Sequence, residues 1–175
     1  MAFPLYSRTR NDLALAILRI AVGCVFLIFA QYKILSTQFT LHGGFQYWIH
    51  KFIEAGAYPF MVPILKDFVL LHATAIAFLV AFGELAIGVA LFVGVLVRPA
   101  SFFGLIYMAT LLVSSNYPGA HAPAWQYVGA SLDHSVLALC FLTFLIGDSE
   151  SILSVTRWLN IAQEKKLRDE FLAKQ

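Results

Sequence analysis

Four long hydrophobic runs constrain the fold of this chain more than any other feature. They cover approximately residues 13–35, 68–97, 100–115 and 127–147. A helix needs about 20 mostly apolar residues to cross a bilayer. The third run is short, and we expect tilt or local bilayer thinning to accommodate it. The sequence therefore predicts an all-α protein, a four-transmembrane-helix bundle.

The charge content agrees with a membrane protein and excludes one class of partner. Only 13% of the residues are charged, whereas soluble domains carry about 25%. The net charge is +2, and no basic stripe with interleaved aromatic residues is present. We therefore expect the lipid bilayer as a partner and no nucleic acid.

The distribution of lysine and arginine predicts the orientation, because cytoplasmic segments carry an excess of these residues. With both termini inside, nine of them lie on the cytoplasmic side and three (Lys33, Lys51 and Lys66) on the outer side. We expect a multi-pass protein of the cell inner (cytoplasmic) membrane. Its parts are a cytoplasmic lead (1–12), a membrane domain (13–148) and a cytoplasmic amphipathic tail (149–175).

Periodic patterns indicate further helices and packing seams. The long outer loop, residues 36–66, contains an apolar face that predicts an amphipathic helix: Phe45, Trp48, Ile49, Phe52 and Ile53. A stripe in the tail predicts a helix at the membrane interface: Ile152, Val155, Leu159 and Ala162. In the second run, small residues at intervals of four predict close helix contacts: Ala73, Ala77, Ala81, and then Ala86, Ala90, Gly94.

Charged residues within the runs are the candidate functional residues, because charges inside a membrane are costly. Arg19, Glu84, Asp133 and His134 form a candidate buried polar cluster, and Arg98 lies at the inner boundary. We expect Arg19 or His134 to be the nearest polar partner of Glu84. The cluster could bind a quinone head group or relay protons. The alternative is a network that only fixes the register of the helices.

Other ligand sites find less support in the sequence. His72 and His134 could bind a tetrapyrrole axially, and His50 with Glu54 could share a metal ion. No motif for covalent haem or for an iron–sulfur cluster is present, and we expect no metal site. The two cysteines, Cys24 and Cys140, lie at different depths of the bundle and are interpreted as small apolar residues.

Three segments resemble the DoxX/DoxD superfamily. They are residues 18–23 followed by Phe26 and Lys33, residues 83–98, and Trp125 before the last run. The resemblance covers roughly residues 13–148 and implies a four-helix membrane protein associated with redox chemistry. The DoxD branch is similar to the membrane subunit of thiosulfate:quinone oxidoreductase. Arg19, Glu84 and Arg98 match the charged pattern of the family.

The resemblance implies an integral membrane subunit linked to quinone-dependent redox chemistry. A quinone would be its cofactor, and a larger membrane or peripheral redox complex its partner. The alternative is a non-catalytic accessory subunit of a larger respiratory or photosynthetic complex.

Overall fold

The computed structural model describes residues 3–147 and 149–172, with side chains from Arg10 onward. Helices and connections make up this part of the chain, without any strand. The elements are α1 (Phe3–Leu35), α2 (Gly44–Glu54), α3 (Met61–Pro63), a π-helix (Ile64–Val69), α4 (Ala73–Val93), α5 (Val97–Ser114), α6 (Ala124–Gly129), α7 (Leu132–Ile146) and α8 (Val155–Leu172). The all-α prediction is confirmed. Residues 1–2 of the expected lead, Asp148, and residues 173–175 of the expected tail lie outside the described residues.

Three helices are long and apolar enough to cross a membrane: Arg10–Leu35 within α1, α4, and α5. The third run is longer than expected because α5 begins at Val97. The fourth run is divided, since α6 ends at Gly129 and α7 begins only at Leu132. With 15 residues, α7 is about 22 Å long, so the fourth apolar helix is the short one. The N-terminal helix begins at Phe3, within the segment that the sequence predicted as a polar lead.

The four apolar helices alternate in direction. Helix α1 runs beside α4, and α5 beside α7. A Cβ on Gly23 would lie 2.7 Å from the backbone nitrogen of Phe92, and one on Gly104 would meet the ring of Phe141. Glycine therefore permits the close approach of both helix pairs. The bundle has two ends. The turn between α4 and α5 and the last residues of α7 lie at one of them, which we call the terminal end. We call the opposite end the loop end.

Two hydrophobic clusters fill the bundle. The cluster at the terminal end contains Val22, Phe26, Ile87, Leu91, Val97, Met108, Phe141 and Phe144. The cluster at the loop end contains Phe39, Phe45, Ile49, Ala57, Met61, Leu65, Ala73 and Ala77. The second cluster contains residues of α2, which confirms the amphipathic helix predicted in the long loop. Its Phe45 and Ile49 face the core, whereas Trp48 is exposed.

The buried face of α4 is set by the helical period and not by the positions of the small residues. Ala73, Ala77 and Ala81 are buried, as predicted. Beyond Ala81 the seam continues through Glu84, Ile87, Gly88 and Leu91. Of the second predicted stripe Gly94 is buried, but Ala86 is exposed and Ala90 half-buried, so this stripe does not pack along its length within the described chain. The physical reason is the step of five residues from position 81 to 86, which turns the side chain about 140° away.

Helix α8 leaves the bundle at the terminal end. The Thr156 hydroxyl donates a hydrogen bond to the carbonyl of Gly94 (2.9 Å), which ties the start of α8 to the α4–α5 turn. The described residues of α8 are not buried, and Trp158 is 68% exposed. Of the predicted stripe, Ile152 precedes the helix. The position of this helix at a membrane surface stays a prediction.

Candidate functional site

Glu84 is the centre of a buried polar network between three helices. Its side chain is on α4, is only 6% exposed, and accepts two hydrogen bonds at Oε1. One comes from the ammonium group of Lys33 on α1, and the other from the hydroxyl of Tyr107 on α5 (2.6 Å). The second oxygen, Oε2, is buried and has no hydrogen-bond partner within the described chain. We call Lys33, Glu84 and Tyr107 the polar layer.

The partners of Glu84 are Lys33 and Tyr107 and not Arg19 or His134, which the sequence predicted. Arg19 bonds instead to the carbonyl of Leu91, which is seven residues beyond Glu84 on the same helix. This separation is about 10 Å along the axis, more than the guanidinium group can cover while it holds Leu91. Lys33, which we expected at the outer boundary, reaches back into the bundle. Its side chain is 15% exposed.

His134 on α7 lies at nearly the same height as the polar layer. The rings of Phe26 and Phe141 touch with centroids 5.3 Å apart, and α1 and α7 run in opposite directions. Lys33 lies seven residues from Phe26, and His134 seven residues from Phe141, in both cases toward the loop end. Both residues are therefore about 10 Å from the Phe26–Phe141 contact along the helix axes. The Nδ1 atom of His134 is buried and makes no hydrogen bond with any described residue.

Asp133 does not join the polar layer. Its side chain is 74% exposed, and its Oδ1 atom is 3.6 Å from Nδ1 of His134. We expected Asp133 near the middle of the fourth span, but it is the second residue of α7 because that helix begins at Leu132. A carboxylate at this position is favoured by the positive end of the helix dipole.

Arg19 forms a separate site at the terminal end. It is fully buried and donates to the carbonyl oxygens of Leu91 (2.5 Å) and Leu153 (2.6 Å). The first acceptor lies in the last turn of α4, where carbonyl groups have no partner within the helix. The second lies in the segment that leads to α8. The carboxylate of Glu150 attracts Arg19 and accepts a hydrogen bond from the Val97 amide (3.0 Å).

The remaining candidates lie apart from both sites. Arg98 is exposed at the start of α5, at the terminal end. His72 bonds to the carbonyl of Phe68 (2.9 Å) at the surface. Glu54 pairs with Lys51 (3.0 Å) and not with His50. The described residues contain no group of three or more side chains that could hold a metal ion.

Three tyrosines close the loop end of the bundle. The ring centroids of Tyr58 and Tyr117 are 4.8 Å apart, and Tyr127 lies within 6.4 Å of both. The hydroxyl of Tyr127 donates to the carbonyl of Gly119 (2.7 Å). Burial raises the pKa of Tyr58 above its usual value, so this phenol stays neutral over the physiological range.

Sequence reasoning missed Lys33, Tyr107 and Glu150. Lys33 follows Arg19 by 14 residues, close to four helical turns, and this spacing places both on one face of α1. Tyr107 is a polar side chain within the apolar third run. Both were usable signals. Glu150 gave none, because it lies in a connection whose path depends on the tertiary structure.

Comparison with known proteins identifies one family. A sequence model of the DoxX family matches residues 14–115, more than half of the chain. The matched region includes the whole polar layer, Arg19 and Arg98, but not His134. No curated protein and no solved structure matches the chain significantly.

Proposed function

Because the chain belongs to the DoxX family and is an integral membrane protein, we propose that it is a membrane subunit linked to quinone-dependent redox chemistry. The observation that carries this proposal is the polar layer: a carboxylate, an ammonium group and a phenol share one hydrogen-bond network inside an apolar bundle.

The atoms without partners support a quinone head group as the ligand. Buried polar groups normally have a hydrogen-bond partner, yet Glu84 Oε2 and His134 Nδ1 have none within the described residues. Both belong to side chains at similar height in the bundle. The carbonyl oxygens of a quinone accept hydrogen bonds, which His134 and the remaining ammonium protons of Lys33 can donate, and Oε2 of Glu84 can accept one from a quinol hydroxyl. These residues therefore fit the chemistry of a quinone head group.

A quinone takes up two electrons and two protons when it is reduced to a quinol. The role of the polar layer in that chemistry is to hold and move protons. Lys33 and Tyr107 keep one oxygen of Glu84 fixed, which leaves Oε2 to bind or release a proton. The imidazole of His134 is a second acid/base group at this height. The apolar clusters on both sides of the layer exclude water.

The electrons would come from a partner protein. The described residues contain no group of ligating side chains that could hold a metal ion, and the sequence has no haem-attachment or iron–sulfur motif. We therefore propose a larger membrane or peripheral redox protein as the electron donor. The subunit supplies the quinone contact and the proton path.

Glu84→Gln tests the proposed function. The amide oxygen still accepts from Lys33 and Tyr107, so we expect the variant to fold and to bind a short-chain ubiquinone analogue. The amide cannot carry a proton, so reduction of the bound quinone by added dithionite should slow at least tenfold. Stopped-flow absorbance of protein in nanodiscs measures both binding and rate.

The matched control is Glu54→Gln, because Glu54 is an exposed glutamate paired with a lysine. Its kinetics should equal those of the unaltered protein. Equal rates for Glu84→Gln and Glu54→Gln would contradict the role of Glu84, and no quinone binding by the unaltered protein would contradict the function itself.

An open groove on α4 supports a second candidate function, that of a non-catalytic accessory subunit. The groove has a volume of about 470 Å³ and is lined by Phe82, Leu85, Ala86, Val89, Ala90, Val93, Val95 and Leu96. Small residues such as Ala86 and Ala90 allow a helix of another membrane subunit to approach closely. Purification after gentle extraction distinguishes the candidates: a stoichiometric, cofactor-bearing respiratory or photosynthetic complex without quinone on this chain favours the accessory role.

We further propose the inner membrane as the location, with both termini in the cytoplasm. The support is the excess of Lys and Arg at the terminal end. In a variant without Cys24 and Cys140, a cysteine placed at Gln163 should react with an impermeant maleimide only after lysis. A cysteine placed at His121, in the connection at the loop end, should react in intact spheroplasts. The reverse pattern would refute this orientation.

A further inference from the structure

A small polar cavity lies at the terminal end, away from the polar layer. Its volume is about 180 Å³, and it is lined by Arg98, Gly147, Ser149 and Glu150. A water molecule occupies about 30 Å³ in the liquid, so the cavity has room for a phosphate group. The cavity lies between the first turn of α5 and the segment that follows α7. This is a different place from the site that the proposed function uses.

An unpartnered hydrogen-bond donor lines this cavity. Ser149 lines it, is only 2% exposed, and has a hydroxyl without a hydrogen-bond partner among the described residues. The hydroxyls of Ser101 and Ser151 and Nε of Arg19 are also buried and unpartnered. Ser101 lies one turn beyond Val97 on α5, whose amide bonds to Glu150. The hydroxyl of Ser149 and the guanidinium group of Arg98, which both line the cavity, are donors that suit a ligand rich in acceptor oxygens.

The charges favour an anion. Arg19 and Arg98 are positive, and the negative charge of Glu150 is already opposed by Arg19 and by the amide of Val97. Arg98 is the positively charged side chain in the lining of the cavity. The N-terminus of α5, an 18-residue helix, adds a partial positive charge at the same place.

The position of the cavity identifies the source of the anion. Helix α5 is long and apolar enough to cross a membrane, and the cavity lies at its first turn. The ends of a spanning helix lie at the level of the lipid head groups. We propose that this cavity binds the phosphate group of a membrane lipid, with Arg98 and Ser149 as its principal contacts.

The experiment uses the full chain, stripped of lipid in detergent and then mixed with phosphatidylglycerol. Native mass spectrometry should show one tightly retained phosphatidylglycerol per chain. Arg98→Gln should weaken this binding about tenfold, the effect of losing one charge-assisted hydrogen bond. Ser149→Ala should weaken it by a smaller factor. Lys66→Gln, which removes an exposed positive charge at the loop end, should leave the affinity unchanged.

Competition with inorganic phosphate separates the lipid from the free ion. Full displacement of phosphatidylglycerol by millimolar phosphate would overturn the lipid as source. The proposal fails if Arg98→Gln and Ser149→Ala both retain phosphatidylglycerol as the unaltered protein does, because the cavity then holds only water. Thermal unfolding in detergent verifies that each variant is folded, and Ser149→Ala decides the matter if Arg98→Gln is not.

Discussion

Replacing Glu84 with leucine should lower the free energy of unfolding by about 3–5 kcal/mol, the cost of removing one partner from a buried ion pair. The reason is that Lys33 and Tyr107 both donate to Oε1 of Glu84. Without it, an ammonium group and a hydroxyl group are left inside the bundle with no acceptor. Thermal unfolding in detergent should show a midpoint lowered by roughly 10 °C.

A double-variant cycle isolates the pair from the other effects of the substitution. In Lys33→Met/Glu84→Leu the stranded charge is gone, so most of the lost stability should return, since apolar residues often replace a buried pair without loss. Glu54→Leu is the control, because that glutamate is 66% exposed beside Lys51; its change should stay within about 0.5 kcal/mol. Additive losses in the double variant would show that Lys33 and Glu84 do not act as a pair.

The sequence predicted the helices of the bundle well because lipid imposes a simple rule on length and polarity. It failed where tertiary contacts decide. The fourth run divides at Ser131, whose side chain accepts a hydrogen bond from Asn116 (3.0 Å) in the connection after α5. The seam of α4 continues through Glu84 and not through Ala86, because the helical period outweighs the spacing of small residues.

The sequence predicted which charged residues belong to the buried sites, but it did not predict which residues bond to one another. Arg19 and Glu84 stand out as charges within apolar runs, and both are buried. Which atoms they meet depends on the rotation of each helix about its axis, and periodicity fixes that rotation only approximately. Lys33 was assigned to the outer side because it lies near the end of the first run. The structure turns it inward, since Glu84 supplies an acceptor at the same height.

Replacing Arg19 with methionine should also cost about 3–5 kcal/mol, and this loss should be concentrated at the terminal end. Arg19 joins the last turn of α4 to the carbonyl of Leu153 and opposes the charge of Glu150. Its loss releases the segment that precedes α8, so local opening should become easier there. Tryptic cleavage after Arg157 should accelerate at least tenfold, whereas Arg168→Gln, a change at an exposed position, should leave cleavage at Arg157 unchanged.

Gly94→Ala tests the Arg19 site by a substitution in the turn that contacts the guanidinium group of Arg19. Gly94 has a φ of +76°, and an added Cβ would collide with the guanidinium group of Arg19 and lie 2.9 Å from Cα of Ser154. Gly56 has a similar φ of +88° with nothing within 4 Å of an added Cβ. Gly56→Ala should therefore lower the free energy of unfolding by about 1 kcal/mol, from backbone strain alone. Gly94→Ala should lower it by about 2 kcal/mol more, because the added Cβ overpacks the site. Gly94→Ala should also accelerate tryptic cleavage after Arg157. Equal losses for the two alanine variants would mean that Arg19 and Ser154 move apart without cost, and the Arg19 site would then not hold the segment that precedes α8 against the bundle.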